Sequence, residues 1–183
     1  MTELLRFDDM NASNTKFIVL RGPSGSGKSS IAREVRLAQA ELMVLIGQDH
    51  FRRVVLKEKD VPNGLNAELI KRTLLFAFEH SYHVILEGIF VADRYRNMFQ
   101  EILCEHPDNN FFFYLDVPFG ETLRRHQFKP NKDEFGEKEM RSWYMEKDLL
   151  GFVQEVLIPA TNSIEETVET LTTTCNLVKK KTT

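Results

Sequence analysis

A glycine-rich segment that ends in a lysine and a serine is the strongest chemical signal in the sequence. Residues 22–29 read Gly-Pro-Ser-Gly-Ser-Gly-Lys-Ser and match the phosphate-binding pattern G-x-x-x-x-G-K-[ST]. Glycines let consecutive backbone N–H groups turn inward around phosphate oxygens, since no Cβ stands in the way. In such a loop Lys28 reaches the β- and γ-phosphates, and the hydroxyl of Ser29 binds Mg²⁺.

The segments on either side of this loop are the ones that its geometry requires. An apolar strand, predicted at Phe17–Arg21, enters the loop, and an amphipathic helix, predicted at Lys28–Leu42, leaves it. The N-terminus of that helix adds its own unpaired N–H groups and the positive end of its dipole. The sequence therefore predicts that the chain binds a nucleoside triphosphate with Mg²⁺, taken as ATP because no guanine-reading motif is present. The predicted nucleotide-binding residues of the loop are Gly22, Pro23, Ser24, Gly25, Ser26, Gly27, Lys28, Ser29 and Ser30.

An acidic and a basic residue follow the second predicted strand, Met43–Gly47. Asp49 comes directly after this strand, and Arg52 lies three residues further, on the same face of a helical turn. A carboxylate at the carboxyl edge of a strand beside a phosphate loop faces the crevice of the site. Asp49 is therefore the candidate general base for an attacking hydroxyl, and Arg52 the candidate contact to the acceptor or the transferred group. The alternative is that Asp49 caps a helix and Arg52 is solvated.

A second acidic residue ends the apolar run Val84–Leu86. Glu87 follows this run directly, and a strand beside the loop strand commonly presents its terminal carboxylate to Mg²⁺. Together with Ser29, Glu87 is the predicted metal-binding residue. Asp116, which ends another apolar strand and precedes Pro118, competes for this role, but the turn after it favours a structural function.

Short apolar runs alternate with helical patterns along the rest of the chain, which indicates an α/β fold with a parallel sheet. One domain is expected over residues 1–183. The polar stretch Gln127–Gly136 interrupts the alternation, and a charged helical segment, Glu137–Leu150, follows it. We predict a lid over residues 124–147. The other predicted strands are Tyr82–Leu86, Asn110–Val117 and Glu155–Pro159. Two further helices are predicted at Leu65–Ser81 and at Asp93–Glu105, the second with Asp93 as its N-cap. The last predicted helix begins with a capping box of Ser163 and Glu166 and has an apolar stripe of Ile164, Val168, Leu171, Cys175 and Val178.

Chain length and one missing motif narrow the class of nucleotide-binding protein. Motor, transport and unfoldase ATPases are longer than 183 residues. A GTPase reads guanine with Asn-Lys-x-Asp, whereas the nearest segment here, residues 131–134, ends in Glu134 and lies in polar loop sequence. A small-molecule kinase remains.

These motifs resemble a group of small P-loop kinases. The phosphate loop, the Asp49-x-x-Arg52 element, the Leu115-Asp116-Val117-Pro118 strand end and the basic lid are similar to those of shikimate and gluconate kinases, zeta-toxin-like kinases and the kinase domain of polynucleotide kinase. The resemblance covers residues 16–176 and is greatest to bacterial kinases without an assigned substrate. It implies a five-stranded parallel sheet in the order 2-3-1-4-5, flanked by helices, with a lid over the phosphates.

The resemblance also implies roles for basic residues of the lid. Arg125, seven residues after Pro118, corresponds to an arginine that lies near the nucleotide base or its phosphates. Four residues further the pattern has a second arginine, where this chain has Lys129, which lacks the bidentate guanidinium fork. Arg124 or Arg141 is then the candidate that stabilises the transition state, and both Arg124 and Arg125 are expected to bind the nucleotide.

Composition limits the partners and the location. The net charge is −3, so no global basic field points to nucleic acid or an anionic membrane. No apolar run approaches the roughly 20 residues that span a bilayer, and residues 1–14 lack the layout of a signal peptide. We therefore expect a cytoplasmic protein without a membrane or nucleic-acid partner, although a local basic patch could still bind either one. Its two cysteines, Cys104 and Cys175, predict neither a disulfide framework nor a zinc site.

The predicted function is transfer of the γ-phosphoryl group of ATP to a hydroxyl of a small molecule, catalysed by Lys28, Asp49, Arg52 and Arg125. Residues 50–66 and the turn after Glu87 are expected to line the acceptor pocket. Phe51, Phe90 and Tyr95 are candidates to stack on a ring there, but aromatic residues at such positions more often belong to the core. Two alternatives stay open: a kinase of polynucleotide 5′-hydroxyl groups, and an ATP-binding switch protein that is not a kinase.

Overall fold

A computed structural model describes residues 15–62, 64–128 and 132–180 of the chain. Five strands alternate with six α-helices, and a π-helical turn, His50–Val55, follows the second strand. The strands are β1 (Phe17–Arg21), β2 (Met43–Gly47), β3 (His83–Gly88), β4 (Asn110–Asp116) and β5 (Glu155–Pro159). The helices are α1 (Lys28–Ala38), α2 (Leu65–Glu79), α3 (Ala92–Glu105), α4 (Phe119–His126), α5 (Glu137–Trp143) and α6 (Ile164–Thr174).

The strands form one parallel sheet in the order β2-β3-β1-β4-β5. This confirms the predicted fold. In register, Arg21 of β1 lies beside Gly88 of β3, and Gly47 of β2 lies beside Glu87. The carboxyl ends of β1, β2 and β3 therefore meet at one edge of the sheet, and the segments that follow them share a crevice.

Helices cover the sheet on both faces, so the strand side chains divide between two apolar cores. Phe17 and Val19 of β1 belong to the core under α2 and α3, whereas Ile18 and Leu20 belong to the core under α1 and α6. All four side chains are fully buried. This explains why β1 reads as a continuous apolar run, since alternate residues of a doubly covered strand enter different cores.

Arg21, the last residue of β1, is fully buried and has partners in three other parts of the chain. Its guanidinium binds the carboxylates of Glu155 (2.6 Å) and Asp148 (3.2 Å) and donates two hydrogen bonds to the carbonyl of Phe90. Asp148 also accepts a hydrogen bond from the backbone N–H of Ala92 at the start of α3. One cation thus joins β1, the loop before α3, the segment after α5 and β5.

Several helices differ from their predicted bounds because turns and tertiary contacts end them. α1 ends at Ala38 rather than Leu42, and α5 ends at Trp143 rather than Leu150. Asp93 is not the N-cap of α3: Val91 holds that position, and the carboxylate of Asp148 caps the helix from a distance. Strand β3 runs two residues further than predicted, to Gly88.

The last helix confirms its predicted start but not the whole apolar stripe. Ser163 and Glu166 form the capping box, in which the Ser163 hydroxyl accepts a hydrogen bond from the Glu166 N–H. Leu171 and Cys175 are buried as predicted, whereas Ile164 and Val178 at the two ends are largely exposed. Only the central residues of the predicted stripe therefore contribute to the core.

The two cysteines are expected to differ sharply in reactivity. Cys175 is fully buried, and burial raises the pKa of its thiol to about 12, whereas Cys104 is exposed on α3. Since the thiolate is the reactive form, a disulfide reagent at pH 8 should modify Cys104 quickly and Cys175 only after unfolding. Thiol titration with and without denaturant measures this, with Cys104→Ser as the control. Rapid reaction of Cys175 in the folded protein would contradict its burial.

Within the described ranges, no helix is long and apolar enough to cross a membrane.

Candidate active site

The glycine-rich loop joins β1 to α1 and has the backbone of a phosphate cradle. Gly25 and Gly27 have φ values of 84° and 104°, which L side chains rarely adopt. The ammonium group of Lys28 lies back over the loop and donates to the carbonyls of Gly22 (2.9 Å) and Pro23 (2.7 Å). Helix α1 begins at Lys28, so its first N–H groups lie at the base of the cradle.

Gly25 is required for packing as well as for backbone conformation. A Cβ at this position would lie 2.8 Å from the carbonyl oxygen of Thr122 in α4, a distance at which the backbone must shift. We expect Gly25→Ala to lower the free energy of unfolding by about 1–3 kcal/mol, the usual cost of a strained backbone position, and to weaken ATP binding. Urea denaturation and nucleotide titration measure both effects.

Gly120 provides the matched control for this substitution. It lies in α4, and a Cβ there would meet no atom within 4 Å. Gly120→Ala should therefore be neutral or stabilise the protein by up to about 1 kcal/mol. If the two substitutions changed the free energy of unfolding equally, the close contact between Gly25 and α4 would not be the reason that a glycine is required there.

The two predicted metal-binding side chains lie together. The hydroxyl of Ser29, at the start of α1, donates a hydrogen bond of 3.0 Å to the carboxylate of Glu87 at the end of β3. Gly47 on the neighbouring strand leaves room for this carboxylate, because a Cβ there would lie 2.9 Å from Glu87 Oε1. Asp116, the competing candidate, faces the ammonium group of Lys147 at 3.6 Å.

Asp49 and Arg52 form an ion pair at the start of the π-helical turn. Arg52 Nη2 lies 2.8 Å from Asp49 Oδ1, and the side chain of Asp49 is 64% exposed. Asp49 precedes the turn but makes no capping hydrogen bond to its backbone. The hydrogen bond from Leu56 N to the carbonyl of Phe51 spans five residues, and such turns are frequent at functional sites. The exposed carboxylate is thus available to a ligand.

One small cavity brings the main candidate groups together. It has a volume of about 60 Å³ and opens between the glycine-rich loop and the ends of β2 and β3. Its lining residues are Ser24, Gly25, Lys28, Ser29, Asp49, Glu87, Gly88 and Ile89. The residues present fit a magnesium-bound triphosphate: a glycine cradle with a lysine and a helix N-terminus suits phosphate oxygens. The adjacent hydroxyl and carboxylate are oxygen ligands of the kind that magnesium prefers.

Arg125 connects α4 to the back of the glycine-rich loop. Its guanidinium donates hydrogen bonds to the carbonyls of Ser26 (3.0 Å) and Ala160 (2.8 Å), and Glu121 accepts a third from its Nε. Hydrogen bonds from Arg124 and Arg125 hold the pKa of Glu121 at about 2. Arg125 therefore lies against the back of the glycine-rich loop and is oriented by Glu121, and its contact with a nucleotide stays a prediction.

The other basic residues of the predicted lid are not gathered at the cradle. Arg124 is exposed and pairs with Glu121, while Arg141 pairs with Glu137 and lies over the ring of Phe119. Ser30 is exposed on α1, beyond the cavity. Lys129 lies outside the described residues.

Part of the predicted lid contacts the π-helical turn. Arg53, in the π-helical turn, pairs with Glu134 at 3.4 Å, and its guanidinium lies 5.8 Å from the ring centre of Phe135. Phe135 in turn stacks on the buried ring of His126 and meets the edge of Trp143 at 5.1 Å. These contacts join the lid to the turn that follows Asp49.

A buried polar network behind the cavity was not predicted from the sequence. The side-chain oxygen of Gln48 accepts hydrogen bonds from the backbone N–H groups of Ile89 (2.9 Å) and Phe90 (3.1 Å). Its amide nitrogen donates to the hydroxyl of Tyr95 (2.7 Å). Burial raises the pKa of Tyr95 well above its ordinary value. The one feature of the sequence that could have indicated this network is Gln48, a polar residue between an apolar strand and Asp49.

Phe90 and Tyr95, for which the sequence left a stacking role and a core role open, are core residues. Phe90 is fully buried, Tyr95 is 2% exposed, and their rings meet edge to face at 5.0 Å. They belong to the apolar core under α2 and α3. Neither ring is accessible to an acceptor, whereas Phe51 is partly buried against the same core.

Comparison with known proteins identifies the fold. Searches against protein-family models and against curated protein sequences gave no match. Among solved structures, the tunicamycin resistance protein of Deinococcus radiodurans superposes with a TM-score of 0.64 at 12% identity, over 92% of this chain and all of that one (100%). The APS kinase of Mycobacterium tuberculosis gives 0.61 at 16% identity, over 86% and 95%.

A gluconokinase from Sinorhizobium meliloti gives a TM-score of 0.60 at 16% identity, over 88% of this chain and 91% of that one. Each of these neighbours is covered over nearly its whole length, so the similarity is one of the whole fold and not of the loop alone. The chain therefore has the fold of the small P-loop kinases.

Proposed function

We propose that the protein transfers the γ-phosphoryl group of ATP to a hydroxyl group of a small molecule. The observation that carries the proposal is the shared cavity, in which an exposed carboxylate, Asp49, opens onto the phosphate cradle around Lys28. A protein that only binds nucleotide requires the cradle but has no need for an exposed carboxylate at its mouth. A kinase requires both.

The phosphate end of the site neutralises charge. Lys28, the loop N–H groups and the N-terminus of α1 would hold the phosphates, and Ser29 with Glu87 would hold magnesium. Magnesium supplies further neutralisation of the phosphate oxygens. The hydrogen bond between Ser29 and Glu87 supports Glu87 over Asp116, because Asp116 pairs with Lys147 instead.

At the acceptor end, Asp49 orients the hydroxyl and takes its proton. The acceptor oxygen then forms a bond to the γ-phosphorus while the bond to the β-phosphate oxygen breaks, and ADP leaves. The arginine beside Asp49, Arg52, keeps the carboxylate in its position at 2.8 Å. In this arrangement most of the rate enhancement comes from positioning and from neutralisation of charge.

The structural neighbours support the use of a nucleotide but do not indicate one acceptor. The APS kinase structure carries AMPPNP and APS, while other neighbours are named for gluconate or tunicamycin resistance. Proteins named for very different compounds therefore share this fold, so the acceptor must be identified from the site of this chain.

Turnover of Mg·ATP by the purified protein tests the proposal. The protein is incubated with nucleosides, sugars, aminoglycosides and other hydroxylated metabolites, and the mass of each compound is followed. One compound that gains a phosphate, and fails to do so with Asp49→Asn, would establish the kinase. Tight ATP binding with no modified compound in this panel or in a small-molecule cell extract would favour the switch protein.

A further inference from the structure

The acceptor side of the site continues into a second crevice that is mainly apolar. Ile89 lines both this crevice and the catalytic cavity, and the crevice also contains Pro23, whose carbonyl accepts the hydrogen bond from Lys28. When the hydroxyl group of an acceptor lies at Asp49, the next atoms of that acceptor therefore lie beside this crevice. The residues that line the crevice are Gly22, Pro23, Ile89, Val91, Tyr114, Trp143, Met145 and Asp148.

The carboxylate and the phenol hydroxyl that line the crevice are already paired within the protein. Asp148 binds Arg21 and caps α3, and the hydroxyl of Tyr114 accepts a hydrogen bond from the Asp148 N–H. What remains for a ligand is apolar surface. Trp143 and Met145 are the large apolar side chains of the lining that are also partly exposed, at 39% and 44%.

The arginines near the acceptor side are paired within the protein. Three arginines come from the elements that flank this side, and each pairs with a carboxylate: Arg52 with Asp49, Arg53 with Glu134 and Arg94 with Asp60. A site built for an acidic acceptor needs a cation that the protein does not itself neutralise. These three pairings leave none of the three guanidinium groups free for an acidic acceptor, which favours an uncharged one.

We infer that the acceptor is an uncharged hydroxyl compound that carries an apolar ring, which packs on Trp143 and Met145. The inference rests on the proposed phosphotransferase and assigns its substrate class. In the structure the crevice has a volume of about 10 Å³, room for a single water. Binding of a ring therefore requires Trp143 and Met145 to move outward. Such binding would change the fluorescence emission of Trp143.

Matched pairs of compounds test the inference, each pair differing in a ring. Uridine is compared with ribose, and phenyl β-glucoside with methyl β-glucoside, while gluconate represents an acidic acceptor. Binding is measured by calorimetry with magnesium and saturating AMPPNP, and transfer is measured separately with ATP. Trp143 is the single tryptophan of the chain, so its emission identifies where a ring binds.

We expect at least one ring-bearing compound to bind about tenfold more tightly than its partner, a typical gain from aromatic packing, and to change the emission of Trp143. Trp143→Ala should abolish this preference and Trp143→Phe should keep part of it. The control, Phe76→Ala, removes another exposed ring, on α2, and should leave the preference intact.

Two results would overturn the inference: a ring preference that is absent or survives Trp143→Ala, and a preference for gluconate. Failure of the proposed function looks different. In that case no compound gains a phosphate in the transfer assay, although AMPPNP and the ring-bearing compounds still bind.

Discussion

Replacement of Asp49 by asparagine should lower kcat for phosphoryl transfer by about 10²–10⁴-fold, the usual contribution of general acid–base catalysis. Asparagine keeps the size of the side chain and can still accept the hydrogen bond from Arg52, but it cannot take up the proton of the acceptor hydroxyl. The affinity for ATP should stay the same, because the glycine-rich loop and Lys28 are unchanged. Steady-state transfer rates and nucleotide titration together measure this split.

Asp108→Asn is the matched control for this substitution. Asp108 is exposed and lies just before β4, at the edge of the sheet opposite to the ends of β2 and β3, so its replacement should leave transfer unchanged. If Asp49→Asn retained transfer within a few-fold of the original rate, Asp49 would not be the base. A parallel loss of ATP affinity would instead show that Asp49 supports the phosphate cradle.

Replacement of Arg21 by methionine should lower the free energy of unfolding by about 3–5 kcal/mol, the cost of leaving a buried charge unpaired. Glu155 and Asp148, its two carboxylate partners, have side-chain exposures of 1% and 13%, so water cannot replace the guanidinium. The carbonyl of Phe90 loses its donors as well. Equilibrium urea denaturation measures the loss.

Two further variants separate charge from packing in this network. The triple variant Arg21→Met, Asp148→Asn, Glu155→Gln should recover part of the loss, because it removes the charges that the single change leaves unpaired. Arg33→Met on the exposed face of α1 should change stability by no more than about 0.5 kcal/mol. A triple variant less stable than Arg21→Met would show that the carboxylates stabilise the fold without the arginine.

The parts of the structure that follow from local chemistry could be predicted from the sequence. The loop from Gly22 to Ser29 determines its own backbone, and the apolar runs at β1 and β4 are bounded by charged or turn residues. Order along the chain then places Asp49 and Glu87 at one edge of the sheet. Five parallel strands and the shared cavity were predictable for this reason.

What could not be predicted depends on contacts between residues that are distant in sequence. Asp148 caps α3 across 56 residues, so the local candidate Asp93 gave a wrong N-cap. Gln48 pairs with Tyr95 across 47 residues, and nothing in either local segment distinguishes this tyrosine from an exposed one. The apolar crevice beside Trp143 likewise forms only when the lid returns to the sheet.

The burial of Arg21 also constrains the order in which the chain can acquire its structure. The arginine ends the first strand, but Glu155, its closest carboxylate partner, follows 134 residues later. At roughly 5–20 residues per second, a ribosome makes that length in on the order of ten seconds. During this time the end of β1 cannot be enclosed without an unpaired charge, so closure of the sheet around the nucleotide loop must wait for the C-terminal strand to emerge.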